Sequence, residues 1–90
     1  MFFVYIIYSK QAAKYYKGFT SDPLKRVAQH NRGESRYTSI VGDWELIYLE
    51  IFDDKSDALK REKVLKKYDH KQINRLVGSP KNQLSEYLNK

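Results

Sequence analysis

Apolar positions come in blocks along the chain. FFVYIIY (residues 2–8) is an unbroken apolar and aromatic run, and KYYKGFT (14–20) follows it after the short polar stretch SKQA. Both runs have the aromatic and β-branched content of strands, which predicts a β-hairpin. Pairing Tyr5 with Tyr16 sets Phe2 opposite Phe19, Val4 opposite Lys17 and Ile6 opposite Tyr15 on one face. The same register sets Phe3 opposite Gly18 and Ile7 opposite Lys14 on the other face. The first face is apolar enough to be core. The second carries two phenols beside a glycine, whose missing side chain leaves room for something to approach the sheet.

SDPLKRVAQHNRG (21–33) predicts a helix over about 22–32, with Ser21 or Asp22 as cap, Pro23 in the first turn and Gly33 as stop. Leu24, Val27, Ala28 and Asn31 cluster on its expected inner side. Arg26 and His30, four residues apart, are adjacent on another face and can point to one spot. ESRYTSIVGD (34–43) is polar and ends in a turn signal, so it predicts a loop. WELIYLEIF (44–52) predicts a third strand, with Glu45 and Glu50 on opposite faces of a regular pleat.

A helix is expected over 54–67, capped by Asp53 or Asp54, with Ala58, Leu59, Val64 and Leu65 on one apolar arc and Lys60, Lys63 and Lys67 opposite. Arg61 and Glu62 both fall within the arc. The long stem of arginine can carry its charge out to water, whereas a short carboxylate has no such reach and needs a cation, a metal ion or a raised pKa. Another helix is expected over 71–76. Gly78-Ser79-Pro80 breaks the chain, dividing a domain over 1–77 from an extension over 78–90 that forms a last helical turn or frays. The order β-β-α-β-α-α defines an α+β domain around a three-stranded, mainly antiparallel sheet.

Composition narrows the partners. The 90 residues suffice for one modest core. They include no cysteine, so any metal would be held by oxygen or imidazole, and a cytoplasmic location fits the absence of disulfides. The N-terminal apolar run is too short for a membrane span and lacks the layout of a secretory signal. Seventeen Lys and Arg against eleven Asp and Glu leave a net charge of +6, which favours a polyanion such as nucleic acid. No helix joins a basic face to exposed large apolar residues, which disfavours a membrane surface.

Phe3-Val4-Tyr5 and Tyr16-Lys17-Gly18, ten residues apart, resemble the paired triplets of GIY-YIG nucleases. Thr20, Arg26, His30-Asn31, Tyr37-Thr38 and the run Ala58 to Glu62 are similar to the small stand-alone bacterial members. The first triplet lacks its glycine, with Phe3 in that place. The resemblance spans about residues 2–68 and implies phosphodiester hydrolysis; DNA is the expected partner, with RNA as an alternative. It implies Glu62 as ligand of one divalent cation, Mg²⁺ or Mn²⁺, and Tyr16 or Tyr5 as the group that positions or deprotonates water. Arg26 would hold the scissile phosphate, and His30 would move a proton or bind phosphate. Lys14, Lys17, Gly18, Arg32, Arg36, Lys66 and Lys67 would meet the nucleic acid, and Lys17 and Arg26 would lower the tyrosine pKa. Some members use a late asparagine, for which Asn74 and Asn82 are both available. With no appended DNA-reading module, structure-selective or weakly specific cutting is expected. The alternatives are a nucleic-acid-binding module on the same fold, with Tyr15, Phe19 or Tyr37 stacking on bases, and a protein-interaction adaptor.

Overall fold

The computed structural model describes residues 1–89. The long apolar run at the start forms β1 (Phe2–Ser9), and β2 (Lys14–Thr20) folds back on it through a turn in which Ala13 takes a positive φ of 52°. Helix α1 (Pro23–Asn31) is capped by the Asp22 carboxylate, which accepts from the Lys25 amide. Strand β3 (Glu45–Phe52), α2 (Lys55–Leu65), α3 (His70–Val77) and α4 (Leu84–Leu88) follow. The sheet is antiparallel throughout, in the order β2-β1-β3. The α+β class and the element order therefore match the pattern of the sequence. No helix among the described residues is long and apolar enough to cross a membrane.

The hairpin register differs from the expected one by two residues: Tyr5 lies opposite Gly18, Ile7 opposite Tyr16, and Ser9 opposite Lys14. A two-residue slip shortens the turn but keeps every side chain on its face. A second difference comes from an irregularity in β3, where Ile6 pairs with Tyr48 but Ile7 with Leu46. The extra residue, Ile47, flips the phase of the strand. Glu45 and Glu50 therefore share one face, opposite Tyr8 and Val4, instead of lying on two.

Both faces of the sheet are covered, which corrects the expectation of one open face. Val4, Ile6 and Tyr48 pack against Ala58 and Leu65 of α2 and Ile73 and Leu76 of α3. On the other side Phe3, Tyr5, Ile7 and Leu49 pack with Trp44, Val27 of α1, and Leu84 and Tyr87 of the C-terminal segment. An apolar run without alternation belongs to a strand buried on both sides, and β1 is that central strand.

The helices are turned differently from the expected arcs. In α1 the inward positions are Pro23, Val27 and His30, while Leu24 is 53% exposed and Ala28 faces solvent. Asn31 instead closes the following loop by bonding both the amide and the carbonyl of Trp44. In α2 the buried positions are Ala58 and Leu65, and Leu59 and Val64 are partly exposed to water. Arg61 does not reach for water. Its Nε donates to both Glu50 carboxylate oxygens, at 3.1 and 3.0 Å, and Tyr48 donates to the same carboxylate.

Residues 78–89 are packed, not frayed. The Asn82 side chain receives the Leu49 amide and donates to the carbonyls of Ile47 and Val77. Gln83 exchanges bonds with Leu49 and Ile51, so this segment occupies the outer edge of β3. Tyr87 then lies edge-on against Phe3 at 5.3 Å.

Candidate active site

The sheet face under α1 gathers four of the five candidate catalytic residues. Tyr5, in the middle of β1, is 1% exposed, and its hydroxyl lies 2.8 Å from Nε2 of His30, which is wholly buried. Nδ1 of His30 lies 2.7 Å from the Thr38 hydroxyl, which in turn donates to the Ser35 carbonyl. One protonation pattern satisfies every group in the row: Tyr5 donates to Nε2, a proton on Nδ1 is donated to Thr38, and Thr38 donates to Ser35. Thr38 thereby selects the tautomer of His30. Tyr16, on the same face of β2 and partly exposed, has its ring 4.9 Å from His30 and 6.4 Å from Tyr5.

Burial decides the charges in this row. The Tyr5 hydroxyl is pushed up to about 12, chiefly by desolvation, with Tyr16 and Glu62 adding to the rise and the Arg26 guanidinium opposing it. Cations were expected to ease a tyrosine toward deprotonation; at Tyr5 the loss of water outweighs them. His30 is pushed down to about 4 by burial first and by the Arg26 charge second, so the imidazole is neutral at pH 7.

A pH dependence of stability follows, and its sign is set by the direction of the His30 shift. The folded state resists protonation of His30, so its contribution is complete above the ordinary histidine range near 6.5 and is lost as pH falls toward 4. Urea unfolding between pH 7 and 4.5 should show a loss of about 2 kcal/mol from this group. The loss should be reduced in a folded His30→Gln protein; an identical pH slope in that variant would contradict the assignment.

Gly18 is not open to a substrate. A Cβ there would lie 2.4 Å from the Tyr5 hydroxyl oxygen and 2.5 Å from its Cζ, so the phenol occupies the space the glycine leaves. The glycine is needed for this internal packing.

Arg26 is half-buried and donates to Oε1 of Gln29 at 3.1 Å. It borders a hollow of about 360 Å³ with Thr20, Ser21, Asp22, Lys25 and Gln29. Glu62 comes from α2, which packs on the opposite face, yet its charge is felt at the Tyr5 hydroxyl. Its side chain is 17% exposed and sits 3.7 Å from the Lys66 ammonium. It lines a groove of about 660 Å³ with Asp54, Lys55, Leu59 and Lys63 among its walls. Four of the five thus gather under α1, with Tyr5 and His30 enclosed, whereas Glu62 stands on α2, and the hollows beside Arg26 and Glu62 are separate.

Among the described residues, no three His, Asp or Glu side chains gather in a way that would enclose a metal ion. Glu62 alone suits a hard cation that keeps most of its waters and takes further oxygens from a phosphate. Its one ion-pair partner among the described residues, Lys66, is 55% exposed.

The basic residues divide as well. Lys14, Arg36 and Lys67 are exposed, and Arg32 is exposed but paired with Glu34. Lys17 faces the other side of the sheet, where its Nζ donates to the Tyr68 carbonyl. It is therefore an anchor for the α2–α3 connection and lies away from the tyrosines. Of the two late asparagines, Asn82 is spent on the β3 edge, and Asn74 accepts from the Tyr15 hydroxyl. Nothing in the residue pattern marked Thr38 as the partner of His30, because that contact depends on how the 34–43 loop folds back.

The model of the GIY-YIG catalytic domain matches residues 1–75. A UPF0213 protein of Staphylococcus saprophyticus is 37% identical over 77 residues, covering 84% of this chain and 93% of that one. A UPF0213 protein of Staphylococcus aureus is 38% identical over 76 residues, covering 83% and 92%. The solution NMR structure of the UPF0213 protein BH0048 from Bacillus halodurans superposes with a TM-score of 0.55 at 29% identity, covering 94% of this chain and 98% of that one.

Proposed function

Because this chain belongs to the GIY-YIG family, we propose that it hydrolyses phosphodiester bonds in DNA, with structure-selective or weak sequence preference and with one divalent cation. The observation that supports this reading is the gathering of Tyr16 and Arg26 beside an enclosed Tyr5–His30 pair, with Glu62 a partly buried carboxylate on α2. A fold that needed only to bind phosphates would gain nothing from a lone carboxylate at that place.

The partly exposed Tyr16 is the member of the tyrosine pair that can touch an attacking water. Tyr5 and His30, being buried, are positioning residues: their hydrogen bond and ring contacts fix where the Tyr16 ring stands. Arg26 offers a planar donor fork to the scissile phosphate. Glu62 would hold Mg²⁺ or Mn²⁺, which when bound supplies charge stabilisation to the phosphate and the departing oxygen. Exposed Lys14, Arg36 and Lys67 add sequence-independent attraction to the backbone. The lack of cysteine fits a reducing, cytoplasmic setting. Residues 78–90 we regard as an extension to the catalytic domain.

The test is incubation of purified protein with labelled duplex, single-stranded, flap and branched DNAs in Mg²⁺, Mn²⁺ or EDTA. Cleavage of at least one DNA with either ion and none in EDTA is the expected result. Tight binding with no cleavage under any condition would favour the binding-module reading. The enclosure of Tyr5 and His30 is the feature that reading would rest on.

A further inference from the structure

The segment between α1 and β3 presents two large apolar side chains to water: Tyr37 is 79% exposed and Ile40 71%. Single exposed apolar residues are common and need no explanation. These two differ in how they are held. Thr38, between them, is wholly buried, bonded through its hydroxyl to Nδ1 of His30, while its carbonyl accepts from the Trp44 indole N–H at 2.9 Å. The Thr38 amide donates to the Ser35 carbonyl, and the Ser39 hydroxyl to the Arg36 carbonyl. The loop is therefore pinned at its centre, and the pin is a group already engaged with the candidate site. An exposed arginine, Arg36, flanks the tyrosine.

An exposed aromatic ring on a loop pinned at the next residue, following an exposed arginine in the chain, on a protein of net charge +6, suits a nucleobase attached to a phosphate backbone. Stacking requires an exposed ring face, and the base must already be outside a duplex stack. We infer that Tyr37 stacks on an unpaired base next to the bond to be cut, so that the 34–43 loop makes the protein select DNA with a bulge, flap or single-stranded junction. Ile40 extends the apolar surface under the same base or its neighbour. Arg36 holds the phosphate between them. The inference rests on the nuclease reading for its substrate but not on turnover, because stacking is a binding event.

The experiment measures binding in EDTA, by anisotropy, of a paired duplex and of the same duplex carrying one bulged 2-aminopurine. Wild type should favour the bulged DNA by about tenfold, the scale of one base–aromatic stack, and should quench the 2-aminopurine. Tyr37→Ala should abolish the preference and the quenching while holding paired-duplex affinity within about twofold, and Tyr37→Phe should retain both. Thermal melts of the three proteins should coincide, since the ring is exposed. The inference is overturned if wild type shows no preference, or if Tyr37→Ala keeps it or weakens both DNAs equally. Parallel cleavage assays in Mg²⁺ separate the two readings. A preference without cleavage removes the catalytic reading alone, and cleavage without a Tyr37-dependent preference removes this inference alone.

Discussion

Glu62→Gln is expected to lower DNA cleavage at least about a hundredfold, or roughly 3 kcal/mol of transition-state stabilisation, with fold and DNA affinity retained. The substitution keeps the shape of the side chain and removes the charge that would recruit a cation. Its structural cost is small. The only ionic partner of Glu62 among the described residues is a largely exposed Lys66 at 3.7 Å, and contacts of that kind contribute about 0.2–1 kcal/mol. Cleavage, melting temperature and duplex affinity should be measured on one preparation. Undiminished cleavage in the folded variant would remove Glu62 from the mechanism, and a large fall in melting temperature would make it a structural residue.

One position earlier the expected damage is of the opposite kind. Arg61→Ala should destabilise the fold by about 2–4 kcal/mol, because it leaves the Glu50 carboxylate in a largely water-excluded site without its cation. Side-chain exposures of 18% for Arg61 and 12% for Glu50 place the pair between surface and interior, hence a value toward the lower end of what buried pairs show. Arg61 also lies over the Tyr68 ring, 5.9 Å from its centroid, and its Nη2 is buried without a partner. That incomplete satisfaction means the pair holds α2 to β3 more by the penalty for breaking it than by net attraction. Replacing both ends, as in Arg61→Met with Glu50→Met, should therefore cost less than Arg61→Ala alone. Urea unfolding decides this, with a melting temperature lower by about 10–25 °C for Arg61→Ala. A change of less than about 0.5 kcal/mol would show that the ion pair is dispensable.

The strands, the helices and their caps are legible in the sequence because local patterns specify them: the aromatic runs, Asp22 before Pro23, Asp54 before α2. The side on which each helix lies is less legible. An α1 stripe of Pro23, Val27 and His30 includes a polar residue, and reading by hydrophobicity alone preferred Leu24 and Ala28. The placing of Glu45 and Glu50 on one face required the extra residue at Ile47, which has no turn or glycine signal of its own. A regular pleat does not say which glutamate meets α2, so Arg61 had no assignable partner and a stem reaching water is the reasonable expectation. The candidate site was legible as a set of residues but not as an arrangement. Pairing and helix spacing singled out Tyr5, Tyr16, Arg26, His30 and Glu62 and family resemblance supplied their expected roles, whereas the burial of Tyr5 over Gly18 and the tie from His30 to Thr38 are tertiary contacts.

The C-terminal segment on β3 bears on how the protein behaves when crowded or heated. A strand edge is a template for a second chain, and the edge here runs through Ile47, Leu49 and Ile51, an apolar sequence well suited to such pairing. What shields it is two amide side chains, Asn82 and Gln83, and a helix of five residues. Short peripheral elements of this sort detach at a fraction of the free energy needed to unfold the whole domain. Detachment would bare the backbone of β3 and uncover Phe3, against which Tyr87 packs. An Asn82→Ala protein is therefore expected to aggregate more readily than wild type on warming.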